Sequence, residues 1–242
     1  MTEQNSSILF FDEEVALPAL PELLQEAEIL RKATSMANGE VLCWQGGARR
    51  FLVKSFSRKG WFSRVCFGRT CIRNEWRMLV ALWRLGFRCA PKPVALIGSY
   101  TLLMEWINGA ELESAAHCRR KGENAPPKAF FAELKELYRA IHKAGIVHGD
   151  VRRANILVQA DGHPRLLDWA TGRYQAPMGF WARQLLRSDR FSLFKIISDF
   201  HPELFSEEER RLAQPGGLLR LGRFLRQKLY RGFLKHFFRW FR

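Results

Sequence analysis

The sequence predicts an α+β body of two lobes, and two observations carry that expectation. The first hundred residues alternate short apolar runs with turn residues around one prominent helix. Most of the remaining chain has helical periodicity, interrupted by one small hairpin. With 242 residues, 47% hydrophobic and 13% aromatic, the chain can bury a sizeable core and is not a disordered basic tail. Its formal charge is +15, and ten Lys and Arg without one acidic residue lie between Arg210 and Arg242. No run approaches the roughly 18 apolar residues of a spanning helix. The acidic stretch from Met1 to Glu14 lacks the features of a secretory signal, so a cytoplasmic chain is expected. Cys43, Cys66, Cys71, Cys89 and Cys118 are scattered without a C-x-x-C pair, which argues against a disulfide framework and a zinc site.

In chain order, the Pro18 and Pro21 region predicts an irregular lead-in over residues 1–34, with a short helix from Glu22 to about Lys32. Apolar runs from Glu40 to Trp44 and from Arg49 to Phe56, separated by Gly46-Gly47, read as a hairpin. A basic, aromatic connection over residues 57–69 leads to Thr70, expected to cap a helix to Leu85. Ile72, Trp76, Leu79 and Trp83 recur along it, and Gly86 stands at its C′ position. Pro93 to Ile97 and Thr101 to Trp106 form a second expected hairpin. After Pro126-Pro127, Phe130, Leu134, Leu137 and Ile141 mark an amphipathic helix to about Lys143. Asn155 to Gln159 and Pro164 to Trp169 flank Asp161-Gly162, a hairpin signal, and helices broken near His201-Pro202 and Pro215 complete the chain.

The chemistry concentrates in His148-Gly149-Asp150 with Asn155, and in Asp168-Trp169-Ala170. An Asp after a helix, an Asn five residues on at a strand start, and an Asp ending the partner strand bring three polar groups to one end of a hairpin. That arrangement suits phosphoryl transfer. Mg²⁺ takes oxygen ligands and keeps waters, so Asn155 and Asp168 suffice beside nucleotide phosphates, and Asp150 is left to accept a hydroxyl proton.

These motifs resemble the catalytic loop and metal-binding loop of the protein-kinase-like superfamily. Glycine after the His and Trp after the Asp are similar to its atypical branches: RIO-type kinases, aminoglycoside-type small-molecule kinases and bacterial lipopolysaccharide core (Kdo/heptose) kinases. The resemblance spans roughly residues 35–200 and implies a two-lobed protein-kinase-like fold with ATP and Mg²⁺ as cofactors. It divides the chain into a lead-in (1–34), an N-lobe (35–106), a C-lobe (107–209) and a tail (210–242). It also requires a strand Lys paired with a helix Glu, and Lys54 in Phe51-Leu52-Val53-Lys54 fits. Glu75 is the only carboxylate between Val41 and Met104 that could partner it. Met104-Glu105-Trp106 resembles the adenine-binding hinge, Asn38-Gly39 the phosphate-covering turn, and Asp189 the helix Asp that braces the catalytic loop. Arg152 is expected to steady the γ-phosphate. The chain departs from the family in lacking G-x-G-x-x-G before Lys54, in Ala170 for the last Gly of the metal motif, and in having no Ala-Pro-Glu. A regulated Ser/Thr kinase is thereby disfavoured.

On a helical wheel the tail sets Leu225, Phe233, Phe237 and Trp240 mainly against Arg220, Arg231, Lys235 and Arg239, as in an interfacial membrane helix; packing on the C-lobe is the alternative. Nucleic-acid binding is the third use of such charge and is not favoured, since the aromatic residues keep core-like spacing. The segment Val53 to Phe62, followed by Arg73-Asn74-Glu75-Trp76, resembles the lipopolysaccharide core kinases, in which a basic connector follows the strand Lys; Arg58, Lys59 and Arg64 would suit a phosphate- or carboxylate-bearing lipid. The expected function is phosphorylation of a sugar hydroxyl in such a glycolipid at the cytoplasmic membrane face. A RIO-like serine/threonine kinase and a membrane-associated pseudokinase scaffold are the alternatives.

Overall fold

Alternation with a period of two organises the first lobe. Along strand Arg49–Ser55 the residues Phe51, Val53 and Ser55 are buried on one face, which leaves Leu52 and Lys54 on the other. In the computed structural model, which describes residues 7–12, 14–122, 125–175 and 179–213, this strand lies inside a six-stranded antiparallel sheet. The lobe comprises β1 (Ile8–Phe10), α1 (Leu20–Glu26), β2 (Glu28–Arg31), β3 (Glu40–Gly46), β4 (Arg49–Ser55), α2 (Trp61–Ser63), α3 (Arg69–Arg84), β5 (Pro93–Ile97) and β6 (Thr101–Glu105). The sheet order is β1-β5-β6-β4-β3-β2. Lys54 is in register with Val41 on one side and Leu102 on the other.

Both sheet faces are covered. Leu23 and Leu24 of α1 pack on Leu42, Trp44, Phe51, Val53 and Leu103, whereas Ile72, Leu79 and Leu82 of α3 pack with Leu96, Leu102 and Met104 on the opposite side. The expected lead-in is thus not irregular: it supplies one helix and two edge strands. The expected helix over Glu22 to Lys32 is corrected too, ending at Glu26 and giving way to β2. That strand is exposed along its whole length and held by backbone pairing to β3, so no side-chain alternation announces it. Thr70 does not cap α3. Helical backbone already runs through α2 and a π-helical turn over Arg64–Gly68. The far end agrees with expectation: the Gly86 and Phe87 amides donate to the Trp83 and Leu82 carbonyls at 3.1 and 2.9 Å, closing the last turn.

The second lobe contains β7 (Ala110–Glu111), α4 (Ala115–Lys121), α5 (Lys128–Lys143), β8 (Ile146–Val147), β9 (Ile156–Val158), β10 (Pro164–Leu166), β11 (Arg173–Tyr174), α6 (Phe180–Ser198) and α7 (Glu207–Ala213). Phe130, Phe131, Leu134, Tyr138 and Ile141 form the buried stripe of α5, and they share one core with Ile156, Leu166, Trp169 and Ile197. The β9–β10 hairpin pairs in register over Asp161-Gly162. The lobes join where the Leu166 amide donates to the Cys89 carbonyl (2.7 Å) and Arg165 reaches Glu105 (2.9 Å). No helix among the described residues is long and apolar enough to cross a membrane. The basic amphipathic tail from residue 214 onward lies outside the described residues.

Candidate active site

An ammonium on an apolar strand must be paired, and Lys54 is paired twice. Its Nζ lies 2.7 Å from Glu75 Oε2 and 2.8 Å from Asp168 Oδ1. β4 aims the lysine at the face covered by α3, and the buried side of α3 carries Glu75, with a side chain only 3% exposed. Burial opposes the charge on Lys54, but the two carboxylates outweigh it and hold the group above its ordinary range. Burial dominates at Glu75 and raises its carboxyl. At Asp168 burial acts in the same upward direction, but Lys54 overcomes it, so this carboxyl lies below the ordinary value and stays ionised. Asp168 is the one non-glycine with positive φ (61°) among the described residues; the left-handed turn points its carboxylate back at the lysine.

The loop after β8 explains His148-Gly149-Asp150. Gly149 has φ 82°, and a Cβ there would meet the Thr171 carbonyl oxygen at 2.9 Å, so no larger side chain fits. Below the loop, Asp189 of α6 is 1% exposed and accepts the amides of His148 (2.7 Å) and Gly149 (2.9 Å) through its two oxygens. Asp189→Ala leaves both buried donors unmet, and a loss of about 3 kcal/mol in urea unfolding is expected. A loss below about 1 kcal/mol contradicts the brace.

His148 is fully buried against Trp169, with ring centroids 4.4 Å apart. Nε2 faces the Leu167 carbonyl at 3.0 Å and Nδ1 accepts the Asp150 amide at 3.3 Å, which assigns the neutral Nε2–H tautomer. Burial depresses its pKa below the ordinary 6.5. Between that value and the lower folded one the unfolded chain binds the extra proton. The contribution is therefore complete above about pH 6.5 and is lost as pH falls through the folded pKa. The drop in melting temperature from about pH 7 to about pH 5 should shrink in His148→Gln; an unchanged drop contradicts this assignment.

Asn155, 4% exposed, donates Nδ2 to the Asp150 carbonyl (2.9 Å) and to Asp150 Oδ2 (3.2 Å). With Nδ2 so engaged, Oδ1 is the atom it can offer a cation. Arg152 bridges the two aspartates, with Nε 3.2 Å from Asp150 and Nη2 3.8 Å from Asp168. Lys54 and Arg152 against Glu75, Asp150 and Asp168 leave one net negative charge at the site.

Lys54, Glu75, Glu105, Trp106, Asn155 and Asp168 all border one cleft of about 410 Å³ between the lobes, roofed by Leu30, Arg31 and Val41 and floored by Leu157 and Leu167. The Glu105 side chain is engaged elsewhere, accepting the Lys92 amide (2.8 Å) and Arg165, and its own amide donates to the Lys92 carbonyl (2.8 Å). Trp106 carries Arg50 over its ring. Gly39 does not border the cleft. It is buried where β3 begins, and a Cβ there would meet the Phe56 ring and the Ser55 carbonyl at 2.8 Å, so its smallness lets the preceding loop close. Sequence reasoning missed Asn74: its Nδ2 donates to the Ala170 (2.8 Å) and Gly172 (3.0 Å) carbonyls and ties the turn after Asp168 to α3. Neighbourhood to Glu75 was its only signal.

The described residues contain no group of three or more His, Cys, Asp or Glu able to hold a metal alone. An Asp and an Asn amide oxygen facing a cleft do fit a hard divalent ion that brings phosphate and water ligands with it.

Residues 52–196 match the family model described as RIO domain. A 3-deoxy-D-manno-octulosonic acid kinase of Xanthomonas oryzae pv. oryzae is 28% identical over 180 residues, which is 67% of this chain and 69% of that protein. Another, from Xanthomonas campestris pv. campestris, is 29% identical over 178 residues, covering 66% and 68%. The RIO-type serine/threonine-protein kinase Rio1 of Haloferax volcanii is 26% identical over 144 residues, covering 54% of this chain and 48% of its own.

Proposed function

The chain belongs to the RIO domain family and is a phosphotransferase, and we propose that it moves the γ-phosphoryl group of ATP to a sugar hydroxyl of a lipopolysaccharide-core-like glycolipid at the cytoplasmic membrane face. The observation that carries the chemistry is the meeting of Lys54, Glu75 and Asp168 in one cleft, with Asp150 beside them on the Asn155 amide. The sugar acceptor is supported by the relatives named 3-deoxy-D-manno-octulosonic acid kinase.

In this reading Lys54 holds the α- and β-phosphates, and Glu75 keeps the ammonium aimed into the cleft. The backbone of Glu105 and Trp106 lines the adenine end. Asn155 Oδ1 and the Asp168 carboxylate would hold Mg²⁺, which when bound would supply neutralisation of phosphate charge. Asp150, fixed by Asn155 Nδ2, accepts the proton of the sugar hydroxyl. Arg152 turns its guanidinium from the two aspartates to the γ-phosphate. The tail over residues 210–242 brings the enzyme to the lipid.

The Haloferax volcanii relative supports a second acceptor class, a protein serine or threonine. Labelled ATP incubated with glycolipid extract and, separately, with total protein decides between them. Label is expected in lipid and should vanish in Lys54→Met; label confined to protein overturns the sugar acceptor.

A further inference from the structure

Phosphoryl transfer leaves unused the outer surface of the segment that joins β4 to α3. Trp61 is 69% exposed, Phe62 51% and Val65 44%, three large apolar side chains on adjacent turns of one helical stretch. Scattered apolar residues on a surface need no explanation, but a contiguous aromatic group in a basic field does. Between Val41 and Met104 the only acidic residue is Glu75, and it is buried against Lys54. Arg69 and Arg77 stand exposed along α3 after the apolar turn, so the surface beside the wedge is positive with no exposed carboxylate of its own. The same segment holds the loop over residues 32–39 that precedes β3. Lys59 Nζ donates to the Ala33 and Ser35 carbonyls at 3.2 Å each, and Ser63 Oγ donates to the Met36 carbonyl. Met36 itself is exposed at the tip of that loop.

We infer that this face is a docking surface for an anionic lipid bilayer, with Trp61, Phe62 and Val65 entering the headgroup boundary and Arg69 and Arg77 lying on the charged surface. An aromatic wedge beside basic side chains is what an interfacial helix offers a membrane, and each basic residue at an anionic surface strengthens binding about fivefold. Single-stranded nucleic acid is the other polyanion such charge attracts, but stacking on bases is organised along a groove, and here the aromatic residues stand on a convex helical turn beside Val65. Because Leu30 and Arg31, at the end of β2, border the cleft and the loop after them is tied to this segment, docking here sets the cleft mouth beside the headgroups. The surface is distinct from the tail, and it stands whether or not the acceptor is a sugar.

The test uses the full chain without ATP or acceptor, so its failure and that of the kinase reading are separate. Vesicles of phosphatidylcholine with and without about 30% phosphatidylglycerol are the probe. Hydrogen exchange over residues 57–69 should slow at least about fivefold on the anionic vesicles only. Sedimentation affinity should fall at least about tenfold in Trp61→Ser/Phe62→Ser and in Arg69→Glu/Arg77→Glu, with unchanged melting temperatures showing that both variants fold. Absence of exchange protection in this segment, or unchanged affinity in either variant, overturns the surface. So does tighter binding to single-stranded polyuridylate than to the anionic vesicles.

Discussion

Asp168→Asn is expected to lower phosphotransfer at least about a thousandfold while leaving the melting temperature close to that of the parent chain. Asparagine keeps the shape of the side chain and tolerates the left-handed backbone at φ 61° that Asp168 adopts. Lys54 loses one of its two carboxylates but keeps Glu75 at 2.7 Å, so no buried charge is left unpaired. In the proposed function the site loses the negative charge that would offset a divalent ion, and electrostatic stabilisation is the dominant contribution to phosphoryl transfer. Turnover with a coupled nucleotide assay, beside thermal unfolding, separates the two effects. Activity within about tenfold of the parent chain contradicts the role given to Asp168.

Asp150→Asn should act on kcat and spare nucleotide binding. Asp150 does not line the cleft that Lys54, Glu105 and Trp106 border, and its carboxylate is positioned by Asn155 and Arg152. Removing a general base costs about a hundred- to ten-thousandfold in rate. We therefore expect a fall of that size in kcat with an ATP affinity, measured by equilibrium titration, changed less than about threefold. A variant that loses ATP affinity but keeps its rate at saturation assigns Asp150 to binding and overturns this partition.

Much of this geometry was legible because the sequence offers few choices. Only one carboxylate lies between Val41 and Met104, so a partner for the strand lysine from its own lobe had to be Glu75, and period-two burial along β4 puts Lys54 on the side that α3 covers. Asp189 was legible only through the family resemblance, because a short Arg-Ser-Asp-Arg stretch does not say which way its carboxylate points. The edge of the sheet was not legible. β1 and β2 are three- and four-residue strands, mostly exposed, and backbone pairing rather than a hydrophobic pattern fixes them. The helix before Thr70 was hidden for a related reason: its first turn leaves Trp61 and Phe62 in solvent, which breaks the amphipathic pattern by which helices are recognised. The Asn74 bonds depend on the folded approach of α3 to the Asp168 turn, and the Arg152 bridge on the approach of the Asp150 loop to that turn; no local spacing encodes either.

The central claim, that this cleft phosphorylates a sugar carried on a lipid, is tested most directly by product analysis. The full chain, ATP and Mg²⁺ are incubated with a purified lipid bearing a single 3-deoxy-D-manno-octulosonic acid residue, and the lipid is examined by fragmentation mass spectrometry. One added phosphate located on the sugar, absent with Asp168→Asn, is the result expected. A lipid recovered unmodified while the same preparation transfers phosphate to protein serine or threonine would contradict the claim.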